Sequence, residues 1–411
     1  MRRGAWPLSA VMSADGLSRL GSSLTAVAIP WFVLVTTGSV ARTGATVFAE
    51  GLGVVLALFF GGALVDRLAY RRASIAADLA AGLAIALIPA LYHTIGLPFG
   101  LLLALVFLGG LLNTPAQVAR YSALPELAAR ANLRFARANA LFEGFLSAAS
   151  LVGPALAGVL IALLGASNVL WLDAGSFGVS ALLLLAVPPG LLTSSAAAGG
   201  YWRDLAAGVR ALRGDAILFP LVLYFAAINL AIGPVETLIV PVYAREVFDS
   251  PLALGLMSAA GALGALGGNV LYGWVGERFS RRRVFAFGFL VVPLVYAALA
   301  LRPGLAPTLA VLAGLGLALS VTNLLEYTIY FERMPETMRA RLLGLTGAIG
   351  WGTVPLGRLA AGALLGSLGL APALALLAVV FLPVPLAVYR LPRLEPPSPP
   401  APLPRMGEGN I

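Results

Sequence analysis

The chain has 411 residues, of which 60% are apolar and 11% charged, with a formal net charge of +9. Soluble globular domains carry roughly 25% charged residues, so too few charges are present to cover a water-facing surface, and a soluble enzyme of this size is excluded. With no cysteine and a single histidine, His93, the chain has no disulfide, thiolate metal site, iron–sulfur cluster or cysteine nucleophile.

A membrane helix needs about 20 mostly apolar residues to cross about 30 Å of hydrocarbon. Twelve stretches meet that requirement: 7–36, 43–65, 73–93, 97–118, 138–164, 168–188, 217–243, 253–275, 284–302, 305–329, 341–366 and 370–390. They are numbered spans 1 to 12. None carries the short alternating pattern of a barrel strand, so the expected fold class is an all-α integral membrane protein. Pro30, Pro89, Pro154, Pro234 and Pro355 fall inside spans and are read as kinks that packed neighbours tolerate.

Every basic residue is an arginine. With both termini cytoplasmic, most arginines fall at the chain ends or in inside loops, among them Arg2, Arg3, Arg67, Arg71, Arg72, Arg120, Arg130, Arg134, Arg137, Arg281, Arg282 and Arg283. Arg42, Arg245 and Arg302 fall outside. That bias follows the positive-inside rule and predicts a multi-pass protein of the bacterial inner membrane. It also spreads the positive charge over many loops, so no nucleic-acid partner is expected.

The span pattern divides the chain into a six-helix bundle at 1–188, a cytoplasmic central loop at 189–216, a second six-helix bundle at 217–390 and a disordered, proline-rich cytoplasmic tail at 391–411. The halves repeat each other. Gly62-Ala-Leu-Val-Asp66-Arg67-Leu-Ala-Tyr-Arg71-Arg72 follows span 2, and Gly273-Trp-Val-Gly-Glu277-Arg278-Phe-Ser-Arg281-Arg282-Arg283 follows span 8. Pro125-Glu126 recurs as Pro335-Glu336, and Gly153-Pro154-Ala-Leu-Ala-Gly158 as Gly357-Arg358-Leu-Ala-Ala-Gly362. Parallel repeats of this kind are a transporter architecture with a site between the halves.

Over residues 7–390 the chain resembles the major facilitator superfamily. Gly62 to Arg72 is similar to that family's loop 2–3 signature, and Gly153-Pro154 with Gly158 to the fifth-helix motif of its drug/proton antiporters. Ala28-Ile-Pro30-Trp31, Thr37-Gly38-Ser39 and Ala138-Asn139-Ala140 resemble the branch with macrolide-efflux and enterobactin-exporting proteins. The resemblance implies two pseudo-symmetric six-helix bundles and a secondary active transporter working by alternating access. One departure stands out: many members of that branch have an acid in helix 1 just after the glycine matching Gly21, where this chain has Ser22, with Asp15 and Arg19 nearer the cytoplasm.

In the resembled family, Asp66 with Arg67, Arg71 and Arg72 would close the cytoplasmic side against helix 11 and release it on opening. Gly62, Gly273, Glu277 and Arg278 complete this gating motif; the bland alternative is charges that set topology only. Gly153, Pro154 and Gly158 allow close helix approach and predict a bendable contact between the halves, with Gly357 and Gly362 opposite in span 11.

A charge at mid-bilayer costs at least a few kcal/mol, so it faces a partner or water. Asp15 and Arg19 share one helical face and neutralise each other, either as structure or in transport. Glu50, Glu236 and Arg358 lie in the outer parts of spans 2, 7 and 11. Burial of such carboxyls suits proton carriage, and Glu236 paired with Arg358 would leave Glu50 as the carrier. Asp78, Glu143 and Glu326 are read as snorkelling or loop charges, and Asp173 as a cap or interfacial charge. Asn229 and Asn323 are polar candidates for the cavity wall, against a plain interhelical hydrogen-bonding role.

The expected function is proton-coupled efflux of hydrophobic or amphipathic small molecules, drug-like or macrolide-like, since few charges are available to line a cavity. A lysophospholipid or siderophore transporter of the same fold is the alternative. An intramembrane enzyme or non-transporting receptor is disfavoured, because no nucleophile elbow, zinc-binding helix or Walker loop occurs. No cofactor or metal is expected; protons, the substrate and the lipid bilayer are the expected partners of a monomer.

Overall fold

The computed structural model describes residues 6–67, 70–188, 201–275, 279–335, 338–391 and 394. Among them lie twelve helices long and apolar enough to cross a membrane: Trp6–Thr37, Val40–Arg67, Tyr70–Thr94, Phe99–Arg130, Phe135–Leu164, Ala166–Leu185, Leu218–Phe248, Pro251–Trp274, Arg281–Ala300, Leu305–Arg333, Leu342–Leu368 and Leu370–Arg390. They keep the numbers of the spans. No β-strand occurs among the described residues. Helices are the expected answer to hydrocarbon, because each satisfies its backbone hydrogen bonds within itself.

The packing repeats as the sequence does. Span 2 lies against span 4, span 3 against spans 4 and 6, and span 1 against span 5. The second set repeats this, with span 8 against 10, span 9 against 10 and 12, and span 7 against 11. Gly165 (φ +83°) and Gly369 (φ +78°) make the turns into spans 6 and 12, in a backbone region that other residues avoid. The two sets therefore form pseudo-symmetric six-helix bundles.

The bundles meet along two seams, span 2 with span 11 and span 5 with span 8. At the end of the molecule opposite the termini, these seams are glycine on glycine. A Cβ on Gly158 would sit 2.5 Å from the Gly255 Cα, and one on Gly44 would sit 2.6 Å from the Gly362 Cα. Gly153 instead packs on Ser23 of span 1, and Gly357 on Leu230 of span 7. The fifth-helix motif thus crosses between halves at Gly158 alone and meets span 8, while Gly362 meets span 2; the expected face-to-face contact of spans 5 and 11 is corrected. Each motif keeps one glycine for its own half and one for the partner half.

Two regions expected to be irregular contain structure. Within the central loop, Tyr201–Gly214 forms a helix. Its apolar positions, including Leu205, Val209 and Leu212, recur at helical spacing; Leu212 is buried in the core of the second bundle, and Gly208 faces Leu345 of span 11. The start of the tail is held as well, with Leu391 and Leu394 buried in the same core; residues 395–411 lie outside the described residues.

Candidate functional site

A cavity of about 640 Å³ lies between the bundles, lined by spans 5, 7, 8, 10 and 11. That volume falls in the drug-sized range of ligand pockets. Its wall is largely apolar, interrupted by Ser147 and Ser150 of span 5, Asn229 and Glu236 of span 7, Asn323 of span 10 and Arg358 of span 11. Asn269, which the sequence reading did not single out, also lines it and accepts a hydrogen bond from Ser320 Oγ. Ser258 belongs to the same wall and has a buried hydroxyl without a hydrogen-bond partner among the described residues.

Backbone defects aim the charged groups. Pro234 lacks the N–H that an α-turn would use, and Val235–Ile239 takes up a π-helical turn directly after it. Such turns interrupt helices at functional sites, and here the turn carries Glu236. The carboxylate is exposed in the isolated chain because it faces the cavity. Span 11 breaks in the same layer, between Arg339–Gly352 and Val354–Leu368. Thr353 Oγ1 donates to Ala226 O of span 7 at 2.9 Å, and Arg358 follows one turn later.

Arg358 joins the bundles. Its Nη1 donates to Val47 O of span 2 at 3.3 Å and its Nε to Gly233 O of span 7 at 3.4 Å. Gly51 makes room for it, since a Cβ there would sit 3.2 Å from Nη1. The guanidinium acts electrostatically on both Glu50 and Glu236. Among the described residues it makes no direct ion pair with either, so the expected Glu236–Arg358 pair is a shared, unbonded arrangement of one cation and two acids.

A second charged cluster lies inside the first bundle. Arg120 is 1% exposed, not a loop residue. Its Nε donates to Asp15 at 2.9 Å and its Nη1 to Asp78 at 2.7 Å, with Ser180 and Ser18 beside them. Arg19 donates to the other oxygen of Asp15 at 2.6 Å. Two cations and two anions thus neutralise each other across spans 1, 3 and 4. Asp78 is fully buried and does not snorkel, and the Asp15–Arg19 pair is half of a larger network.

Arg71 of the gating motif donates to the carbonyls of Leu184 and Leu185 at 3.0 and 2.8 Å. Arg282, its counterpart in the repeat, donates to the carbonyl of Leu391. Both arginines bind carbonyls at the C-terminal end of the last helix of their own bundle. Arg72 is exposed. Gly62, Asp66 and Arg67 lie on the helical backbone of span 2 with side chains outside the description, and Glu277 and Arg278 lie outside the described residues. Gly273 has open space beside it.

Asp173 is 1% exposed, two turns inside span 6, and is not a cap. Glu326 is half-buried, one turn before Tyr330 on span 10. Ser22, at the place of the missing helix-1 acid, accepts a hydrogen bond from Asn113 at 3.1 Å. Among the described residues no three His, Cys, Asp or Glu side chains converge as metal ligands would.

Twelve membrane-length helices in two repeated bundles around a drug-sized cavity define a membrane transporter rather than an enzyme. The sequence profile of the Major Facilitator Superfamily matches residues 11–265 and 235–409, and the chain belongs to that family. It is 28% identical over 400 residues to the multidrug efflux pump Tap of Mycolicibacterium fortuitum, covering 95% of this chain and 96% of the relative. It is 26% identical over 339 residues to the enterobactin exporter EntS of Salmonella choleraesuis (strain SC-B67), covering 82% and 80%. The crystal structure of the nucleoside transporter NupG superimposes with a TM-score of 0.76 at 14% identity, covering 94% of this chain and 98% of that one. A POT family transporter does so at 0.73 and 11%, covering 93% and 95%.

Proposed function

We propose that this chain is a proton-coupled efflux carrier of the bacterial inner membrane, working by alternating access on hydrophobic or amphipathic small molecules. The observation that carries this reading is Arg358, which reaches the span 2 backbone from span 11 and acts on both Glu50 and Glu236. One cation between two acids from opposite bundles gives a charge balance that depends on protonation and on the bundle arrangement together. A proton on Glu236 frees the guanidinium to favour Glu50, and loss of that proton reverses the preference. Because Glu236 also faces the cavity, a substrate there competes directly with the proton.

The apolar wall with few charges suits drug-like compounds, as does the similarity to a multidrug efflux pump. Asn229, Asn269 and Asn323 give the same cavity a hydrogen-bonding side, which supports a second reading, a siderophore exporter, alongside the similarity to an enterobactin exporter. Both readings take residues 1–188 and 217–390 as the moving bundles, with the termini cytoplasmic and the monomer as the working unit.

The test is drug and siderophore susceptibility in a pump-deficient bacterial host expressing the chain, with Glu50→Gln and Glu236→Gln beside it. Resistance that falls with either substitution supports the assignment. Resistance unchanged by both rejects the two acids as coupling groups.

A further inference from the structure

Three carboxylates are buried among the described residues: Asp15, Asp78 and Asp173. Asp15 and Asp78 each meet an arginine. Asp173 meets none; its side-chain partners are two hydroxyls. Thr25 Oγ1, on span 1, donates to Oδ2 at 2.5 Å, and Ser176 Oγ lies 3.3 Å from Oδ1.

The hydrogen count at this site is informative. A hydroxyl has one hydrogen to give. Thr25 gives its hydrogen to Oδ2. Ser176 has a nearer acceptor than Oδ1, the backbone carbonyl of Asp173 at 2.8 Å, and gives its hydrogen there. An ionised carboxylate would then hold Oδ1 in a buried site with no donor, which costs far more than a paired group. A neutral acid closes the set: the proton on Oδ1 is donated to Ser176 Oγ, which still has a lone pair to accept it.

Among the described residues no other counter-charge lies beside it: Arg71 of span 3 binds the Leu184 end of span 6, away from Asp173, and Arg72 of span 3 and Arg137 of span 5 are exposed. Span 6 packs against spans 1, 3 and 5. On span 1, Asp15 and Arg19 belong to the Arg120 network, as does Asp78 on span 3. His93 of span 3 lies at the far end beside Ser167, and Glu143 of span 5 is exposed. Among the described residues, the charged group that acts on Asp173 is another acid, Glu50 of span 2, a helix that span 6 does not pack against. Space excludes a larger ligand, because Gly21 of span 1 is so close that a Cβ there would sit 2.5 Å from Oδ1.

We propose that Asp173 is a proton-binding site inside the first bundle, held as the neutral acid between Thr25 and Ser176 and separate from Glu236 at the central cavity. Glu50 interacts electrostatically with both Asp173 and Arg358, which ties the charge state of this inner site to the seam between the bundles. The site occupies the space against Gly21, next to the position where the sequence carries Ser22.

The test is infrared spectroscopy of the purified full chain in lipid at neutral pH, without substrate or gradient. The expected result is a carboxylic-acid C=O band that is lost in Asp173→Asn and shifted in Thr25→Val, which removes one hydrogen bond and leaves the acid. The Thr25→Val shift decides the matter if Asp173→Asn does not fold. An Asp173→Asn spectrum equal to that of the unmodified chain, or no response of the acid region to Thr25→Val, overturns the proposal. Glu50→Gln and Glu236→Gln should retain the Asp173 band, so its absence and a failure of Glu50 or Glu236 in coupling are read separately.

Discussion

Replacing Arg120 by methionine removes the cation at the centre of the first bundle's charge network while keeping much of its apolar volume. The side chain is 1% exposed and donates to Asp15 and Asp78 at 2.9 and 2.7 Å. Without it, Asp15 retains Arg19, but Asp78 keeps only the Ser180 hydroxyl at 2.6 Å among the described residues. Breaking a buried pair from one side costs about 3–5 kcal/mol, because the remaining charge stays buried and uncompensated. Arg120→Met should therefore destabilise the fold by about that amount. Adding Asp78→Asn restores neutrality, since Arg19 and Asp15 then remain as a balanced pair. The double variant should recover about 1–3 kcal/mol relative to the sum of the single ones, the usual size of coupling within one network. Unfolding in mixed micelles, titrated with sodium dodecyl sulfate and followed by tryptophan fluorescence, measures all three variants. An Arg120→Met chain within about 0.5 kcal/mol of the unmodified one, or strictly additive single effects, would refute the network as drawn.

Gly158→Val should prevent the bundles from closing at the end opposite the termini, because a single Cβ already sits 2.5 Å from the Gly255 Cα. Spin labels on spans 5 and 8 should report a longer distance than in the unmodified chain, and an unchanged distance would contradict the seam. Arg71→Ala removes two hydrogen bonds to the end of span 6, at about 1.5–3 kcal/mol for bonds to a charged donor. Faster amide exchange confined to the Leu184 end of that span is the expected readout, and exchange unchanged there would discount the anchor. Leu212→Asp should detach Tyr201–Gly214 from the second bundle, exposing the helix to limited proteolysis; equal resistance to cleavage would show that the helix does not dock through Leu212.

The spans were legible because a bilayer leaves one reading for long apolar runs, and the ends agree to within a few residues apart from span 4, which runs on to Arg130, and span 7, which runs on to Phe248. The repeat was legible too, and the glycine motifs pointed to real close approaches. What they approach was not legible: Gly158 meets span 8 and Gly362 meets span 2 because the bundles face each other about a pseudo-two-fold, which spacing along one chain does not encode. Arg120 was missed for a similar reason. It precedes Pro125-Glu126 near the end of an apolar run, where an arginine normally faces a headgroup, and its acids lie on spans 1 and 3. Asp173 lies two turns inside span 6, between Trp171-Leu172 and Ala174-Gly175 in the sequence, so nothing local announced its hydroxyl partners or its burial. Tyr201–Gly214 could have been found, since its apolar residues repeat at helical spacing within an otherwise polar stretch.

Uphill movement and exchange separate proton coupling from substrate binding. In proteoliposomes containing a substrate identified by susceptibility, the unmodified chain should accumulate it against a gradient when a pH difference is imposed and should also exchange it at equal pH. Glu236→Gln should abolish the accumulation while retaining exchange, as expected of an acid that carries the proton without being needed for the bundles to rock. Accumulation by Glu236→Gln equal to that of the unmodified chain, or accumulation indifferent to the pH difference, would contradict the account.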